Sequence, residues 1–198
     1  MSLLHLIGKK PIIAALRNID DFQKAIDSKV DNIFFMGGDV QQVIECVQLA
    51  KKHNKRSFLH TDLIKGISNT DKETISFIKH YIQADGIVTP KKHLIREANK
   101  NELYAIFHLF ILDSLALTNG TSVVESIQPD AIELMPGVVP KIIDRFASDF
   151  TDTPIISSGL IQTVEEAKIS LDAGSTALAV SNVELWNLTF EDLLFDIY

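Results

Sequence analysis

Eight short apolar runs, each followed by a stretch with helical spacing, dominate this chain. "PIIAALR" (11–17) leads into "DDFQKAIDS", "NIFFMGG" (32–38) into "VQQVIECVQLAKKH", and "RSFLHTD" (56–62) towards "TDKETISFIKHYIQA". "GIVTP" (86–90) leads into "KKHLIREANKN", and "YAIFHLFIL" (104–112) into "SLALTNGTSVVESIQ". "AIELMPG" (131–137), "PIISSG" (154–159) and "ALAVSN" (177–182) repeat the arrangement, and the last is followed only by "VELW". Runs that are apolar almost throughout suit parallel strands buried on both faces. Eight such units predict an α/β fold, a compact single-domain (β/α)8 TIM-type barrel. An open doubly wound sheet is the alternative. The 198 residues are few for a barrel, so each unit must be minimal. The chain reads as one domain over 1–198, with a leader segment at 1–10. An acidic, amphipathic C-terminal tail at 187–198 is expected to pack as a last helix.

At 46% hydrophobic and 23% charged, the chain can bury a sizeable core. No apolar stretch is long enough to span a bilayer, and the N-terminus lacks a signal-peptide layout. Cys46 is the only cysteine, which excludes a disulfide framework or a cysteine-based metal site. A reducing, cytoplasmic setting follows as the expectation. The net charge of −7 argues against a broad basic surface of the kind that binds nucleic acid. The charge is uneven, however. Residues 1–100 hold 16 Lys and Arg against 11 Asp and Glu, whereas residues 101–198 hold 3 against 15. One face or end can therefore be positive on an acidic molecule.

Barrels of this kind place function at the C-terminal ends of their strands. Polar residues gather there in this sequence. The first strand ends at Arg17, the third carries His60 and Asp62, the fifth carries His108, and the sixth carries Glu133 inside "IELMPG". A buried carboxylate needs a partner. Arg17, His60, Asp62 and Glu133 are expected to satisfy one another across the mouth, either as a structural plug or around a small polar ligand. The ligand is favoured because four ionisable groups share one end. After the seventh and eighth strands come "SSGLI" and "VSN", where barrels often bind phosphate. Ser158, Gly159, Ser181 and Asn182 are the candidate phosphate contacts. A turn glycine and helix-capping serines are the plainer reading of the same residues.

Most basic residues precede strands and map to the other end, among them Lys51, Lys52, Lys55 and Arg56. Lys91, Lys92, His93 and Arg96 instead open the helix after the fourth strand, where the helix dipole disfavours cations. That makes them the candidate phosphate-backbone contacts for a nucleic acid, with a solvated surface as the ordinary alternative. No aromatic residue is interleaved with them as a base-stacking platform. There is no P-loop, no GxGxxG after the first strand and no GxSxG elbow. No catalytic constellation emerges. No metal site is expected, since His60-x-Asp62 is the only close pair that could hold one. Lys141 follows the sixth strand by several residues, so it is expected at the rim and not as a Schiff-base lysine.

The segments "HTDLIKGIS" (60–68), "DGIVT" (85–89), "FILDSLAL" (110–117), "IELMPGVVPKII" (132–143), "SGLI" (158–161) and "AVSN" with "ELW" (179–186) carry a resemblance. From about Pro11 to Trp186 the chain resembles the bacterial glycerol uptake operon antiterminator regulatory protein family. The resemblance implies a regulator that senses glycerol 3-phosphate. With the effector bound, such a protein acts on a glycerol-metabolism leader mRNA, prevents premature termination and stabilises the transcript. It implies a phosphate held by Ser158, Gly159, Ser181 and Asn182, and polyol hydroxyls accepted by Asp62, Glu133 and His60, with Arg17 balancing the acids. It also implies no catalytic residues and no cofactor beyond the effector. RNA contacts are expected from Lys91, Lys92 and Arg96, with the Lys51 to Arg56 group in reserve, and a homo-oligomer is allowed for. The family pattern has a second glycine where Ser158 stands, Ser-Thr-Ser where Ser181, Asn182 and Val183 stand, and an arginine where His108 stands. A sugar-phosphate isomerase or lyase with Asp62 or Glu133 as general base is the alternative function.

Overall fold

The sheet closes on itself. In this computed structural model, which describes residues 2–194, eight parallel strands pair in sequence order and the last returns to the first. They are β1 (Ile12–Leu16), β2 (Asn32–Phe35), β3 (Arg56–His60), β4 (Gly86–Thr89), β5 (Tyr104–Phe110), β6 (Ala131–Met135), β7 (Ile155–Ser158) and β8 (Ala177–Val180). The pairing of Ile12, Ile13 and Ala14 with Leu178, Ala179 and Val180 excludes the open doubly wound sheet. Each expected strand runs past its observed C-terminal end. Glycines, prolines and polar residues finish all but the fifth of these runs, which ends in Ile111 and Leu112, and they belong to loops because they favour turns over the pleated ladder.

Helices surround the barrel. They include α1 (Leu3–Ile7), α2 (Phe22–Asp27), α3 (Val40–Lys52), α4 (Glu73–Phe77) continued by a π-helical stretch (Ile78–Ile82), and α5 (Lys92–Lys100). They continue as α6 (Ser114–Ile127), α7 (Pro140–Asp149), α8 (Val164–Asp172) and α9 (Phe190–Leu194), with a 3-10 turn at Val183–Leu185. Their starts follow from sequence. Asp39 with Gln42, and Thr163 with Glu166, form capping boxes on α3 and α8, satisfying otherwise orphaned N–H groups. Pro140 takes the first position of α7, where its missing N–H is harmless. By contrast, α5 starts at Lys91 with no side-chain cap and no acid in its first turn.

The core has two shells. Ile33, Phe35, Leu59, Ile132, Leu134, Phe146 and Trp186 lie in the outer one, between strands and helices. Inside the barrel, Ile13, Phe34, Phe58, Val88, Ile106 and Ile156 fill the lumen. The leader segment belongs to this second shell. Leu3, Leu6 and Ile7 of α1 are buried with the lumen residues and close the N-terminal end of the barrel. At the other terminus, α9 supplies the last helix expected of the tail, and Leu193 is buried in the outer shell. Residues 195–198 of that tail lie outside the described residues. Among the described residues no helix is long and apolar enough to cross a membrane.

Cys46 lies half-buried on α3. Burial, then the charge of Glu45, pushes its thiol up to about 11. Alkylation by iodoacetamide at pH 8 is therefore expected to run on the order of a hundredfold slower than for a free thiol, because the thiolate is the reactive form. A rate like that of glutathione would contradict this.

Candidate ligand site at the barrel mouth

Glu133 sits in β6 and is fully buried, although its neighbours on either side are apolar. Alternation turns Ile132 and Leu134 towards the helices and Glu133 into the lumen. Its partner comes from register. Glu133 faces His108 directly across the β5–β6 pair, and His108 Nδ1 donates to Glu133 Oε2 at 2.5 Å. His60, at the end of β3, brings its Nε2 to 3.3 Å from the same oxygen, close enough for an ion pair but without hydrogen-bond geometry. Burial alone would raise the Glu133 carboxyl. The two imidazoles beside it outweigh burial and hold it well below the usual carboxylate range.

This corrects the expected network. Arg17 lies just past the end of β1, is exposed, and makes no ion pair with Glu133 or Asp62 among the described residues. Asp62 does not share the strand face of His60, because β3 stops at His60 and the chain turns there. The Asp62 carboxylate instead accepts from Thr61 Oγ1 at 3.2 Å, Thr89 Oγ1 at 3.1 Å and Asn69 Nδ2 at 2.7 Å. It binds the loop after β3 to the end of β4. His60-x-Asp62 is thus not a metal pair. The histidines that converge are His60 and His108, from strands far apart in sequence, with ring centroids 5.5 Å apart. Neither carboxylate is set up as a general base. A depressed pKa makes Glu133 a weak one, and Asp62 is already engaged by three donors.

Two cavities open at this end. The larger, about 530 Å³, is walled by Arg17, Met36, His60, Asp62, His108 and Met135 among others, a size suited to a small metabolite. The second is a narrower cleft bordered by Ser158, Gly159, Leu160, Gln162 and Ser181. Arg17, Met36 and Met135 line both, and among the described residues Arg17 is the only lysine or arginine to do so. The fully buried Ser158 Oγ has no hydrogen-bond partner. Gly159 has a φ of +79°, a conformation that side chains disfavour, and it lets the chain fold against Met135. The turn after β6 is equally tight. A Cβ on Gly137 would come within 2.7 Å of Ser158 N, and Ser170 Oγ on α8 donates to the Gly137 carbonyl at 2.7 Å. The Asn182 side chain is committed elsewhere. Its Nδ2 donates to the Gln162 carbonyl at 3.0 Å and its Oδ1 caps the 3-10 turn at Glu184 N. It therefore shapes the loop, with one of its two amide N–H groups engaged.

The basic candidates divide. Lys91, Lys92, His93 and Arg96 stand at the start of α5, on the same end of the barrel as the cavities. His93 and Arg96 also line a groove with Thr70, Lys72, Glu97 and Lys100. On the opposite end, Lys55 Nζ donates to the Ser28 and Val30 carbonyls at 2.9 and 2.6 Å. Burial lowers its pKa. Lys55 is thus a structural clamp, which removes it from the reserve surface of Lys51, Lys52 and Arg56. Sequence reading missed an exposed stacked pair, Phe77 and Tyr81, with centroids 5.5 Å apart. Their spacing of four on one helical face was the available signal. Lys141 is exposed at the start of α7, at the rim as expected.

The model of the family described as "Glycerol-3-phosphate responsive antiterminator" matches residues 12–186. This chain belongs to the glycerol-3-phosphate-responsive antiterminator family. A relative, the uncharacterised protein YgcP of Escherichia coli K12, is 34% identical over 188 residues, covering 95% of this chain and 97% of YgcP. The crystal structure of the glycerol uptake operon antiterminator regulatory protein from Listeria monocytogenes matches with a TM-score of 0.83 at 32% identity, covering 88% of this chain and 94% of that one. A glycerol uptake operon antiterminator-related protein from Thermotoga maritima matches with a TM-score of 0.78 at 31% identity, covering 89% and 98%. The antiterminator family thus supplies the architecture on which these cavities are built.

Proposed function

We propose that this chain is a cytoplasmic, non-enzymatic regulator that senses glycerol 3-phosphate, or a similar small phosphorylated polyol, at the mouth of its barrel. With the effector bound, it acts on a leader mRNA to prevent premature termination and stabilise the transcript. The observation that carries the reading is Arg17 on the shared wall of two adjoining cavities. One suits a phosphate, with the unpartnered Ser158 Oγ, the close backbone approach at Gly159 and the Ser181 hydroxyl beside it. The other suits hydroxyls, with Asp62 and His60 on its wall and Glu133 buried behind His60 and His108. Arg17 then serves the phosphate as a bidentate donor. Family membership supports the effector and the antiterminator role.

The RNA-facing surface in this reading is the uncapped start of α5, with Lys91, Lys92 and Arg96. Cations at a helix N-terminus each cost about 0.3–1 kcal/mol, and a nearby phosphate backbone offsets that cost. A hydrogen-bonded chain joins the two sites. Thr89 Oγ1 donates to Asp62 and accepts from Lys91 N at 3.3 Å. A ligand hydroxyl competing for Asp62 alters the bond that holds Lys91. In Thr89→Val, glycerol 3-phosphate should still bind within about threefold, while its enhancement of RNA binding is lost. Retained enhancement would rule out this route.

The deciding experiment is retention of a terminator-hairpin leader RNA as salt is raised, with and without glycerol 3-phosphate. Binding should strengthen with ligand and weaken steeply with salt. The double variant Lys91→Glu, Lys92→Glu should abolish retention while leaving ligand binding intact. No retention at low salt with ligand present would sink the RNA reading. Turnover of triose or pentose phosphates that disappears in Glu133→Gln would replace it with an enzyme.

A further inference from the structure

We infer that His60, His108 and Glu133 form a binding site for a divalent first-row transition ion, zinc being the simplest occupant, at the floor of the larger cavity. One ligand atom from each of the three residues lies within 4.8 Å of the others. Two imidazole nitrogens and one carboxylate oxygen form a donor set that suits zinc and its neighbours rather than calcium or magnesium. Three protein ligands with an open position are also the layout of zinc sites that take an exogenous fourth ligand.

A network that was complete by itself would leave no buried polar atom without a partner. Here two are left. Glu133 Oε1 is buried with no hydrogen bond, and His60 Nε2, 3.3 Å from the other carboxylate oxygen, is likewise without one. An ion set among His60 Nε2, His108 Nδ1 and the carboxylate would give these atoms a partner. The distances need little change. His60 Nε2 is 3.3 Å from Glu133 Oε2, about the separation of two donors held roughly 2.0–2.1 Å from one tetrahedral ion. The His108 Nδ1 to Glu133 contact of 2.5 Å opens by less than 1 Å when the ion replaces the shared proton.

The surroundings suit an ion. Phe34, Phe58, Ile106 and Ile156 fill the lumen around and below the cluster, so competing water is limited. His60 and His108 both line the cavity, which leaves the fourth position facing the mouth. A hydroxyl, carboxylate or phosphate oxygen of a bound metabolite can complete the coordination there. The proposal is independent of the effector reading, since the ion is measured without glycerol 3-phosphate or RNA.

The test uses the untagged, chelator-stripped full chain. Zinc is titrated by calorimetry, and cobalt by the visible absorbance of its low-coordinate complex. One equivalent should bind with micromolar affinity or tighter. His108→Asn is the informative variant, because His108 is partly exposed and its loss leaves the carboxylate a polar neighbour. It should weaken zinc binding by roughly a hundredfold; the metal-free variant should also melt lower, because the buried carboxylate loses a partner, so binding is measured well below its melting temperature. His60→Asn should do the same, while His53→Asn, an exposed histidine elsewhere, should have no effect. The idea fails if no equivalent binds, or if zinc binds equally well to the His60→Asn, His108→Asn double variant.

Discussion

Trp186→Ala is expected to lower the unfolding free energy by about 3–5 kcal/mol, the range for emptying a packed aromatic site. Trp186 is 1% exposed and lies in the outer shell, just beyond the 3-10 turn that follows β8. Its indole Nε1 donates to the Val180 carbonyl at 2.8 Å, so the residue tethers that turn to the end of the last strand. Alanine leaves a cavity and removes the N–H that ties the turn to the Val180 carbonyl, and the two losses reinforce each other. Trp186→Phe keeps most of the ring and loses only the N–H, so it should be milder, about 1–3 kcal/mol. Urea unfolding measures both, and the midpoint should fall with the slope unchanged. A loss under about 1 kcal/mol for alanine would mean that the last unit closes the barrel without this residue.

Glu133→Ala is expected to rival it. Removing one partner of a buried charged cluster costs about 3–5 kcal/mol, because the remaining groups stay buried without an acceptor. His108 and His60 are those groups. Glu133→Gln keeps the shape and tests the charge alone. On the proposed reading it should weaken glycerol 3-phosphate binding on the order of tenfold, through loss of the charge-assisted bond that orients His108 on the cavity wall. The two variants also differ from the native chain in acid. The Glu133 carboxyl is held below its ordinary value near 4.5, so the stability it contributes is fully present above that value. It is lost as the pH falls through the depressed range. In metal-free buffer, the native chain should lose stability below about pH 4.5 more steeply than Glu133→Gln. Parallel acid limbs would show that the carboxylate contributes nothing through its charge.

The strands were legible because each is largely apolar, and burial on both faces imposes that pattern. Glu133 was legible for the same reason, since a lone acid within such a run must be paired or functional. Its partner was not. His108 sits within "YAIFHLFIL" and looks like an ordinary strand histidine until the β5–β6 register places it opposite Glu133. Register between strands separated by a helix leaves no local mark. Reading His60 and Asp62 as one face failed because a period of two holds only while the strand continues. Arg17 stands beyond β1 on the wall that both cavities share, and among the described residues it pairs with neither Glu133 nor Asp62. Asn182 also has a structural duty that sequence did not mark, holding the Gln162 carbonyl and the Glu184 amide. The structural duty of Lys55 also depends on distant carbonyls that no sequence pattern marks.

The short α1, whose Leu3, Leu6 and Ile7 are sealed into the lumen, makes the barrel a cup rather than a tube. Whatever enters at the rim meets a packed hydrocarbon base with no exit beneath. Information about occupancy therefore has no axial route to Lys51, Lys52 or Arg56 at the base. It must spread sideways, around the lip, through loops such as the one that Asp62 ties to Thr89. On the proposed reading, sensor and reader share one side of such a vessel, and the RNA sits close to the opening through which the effector came.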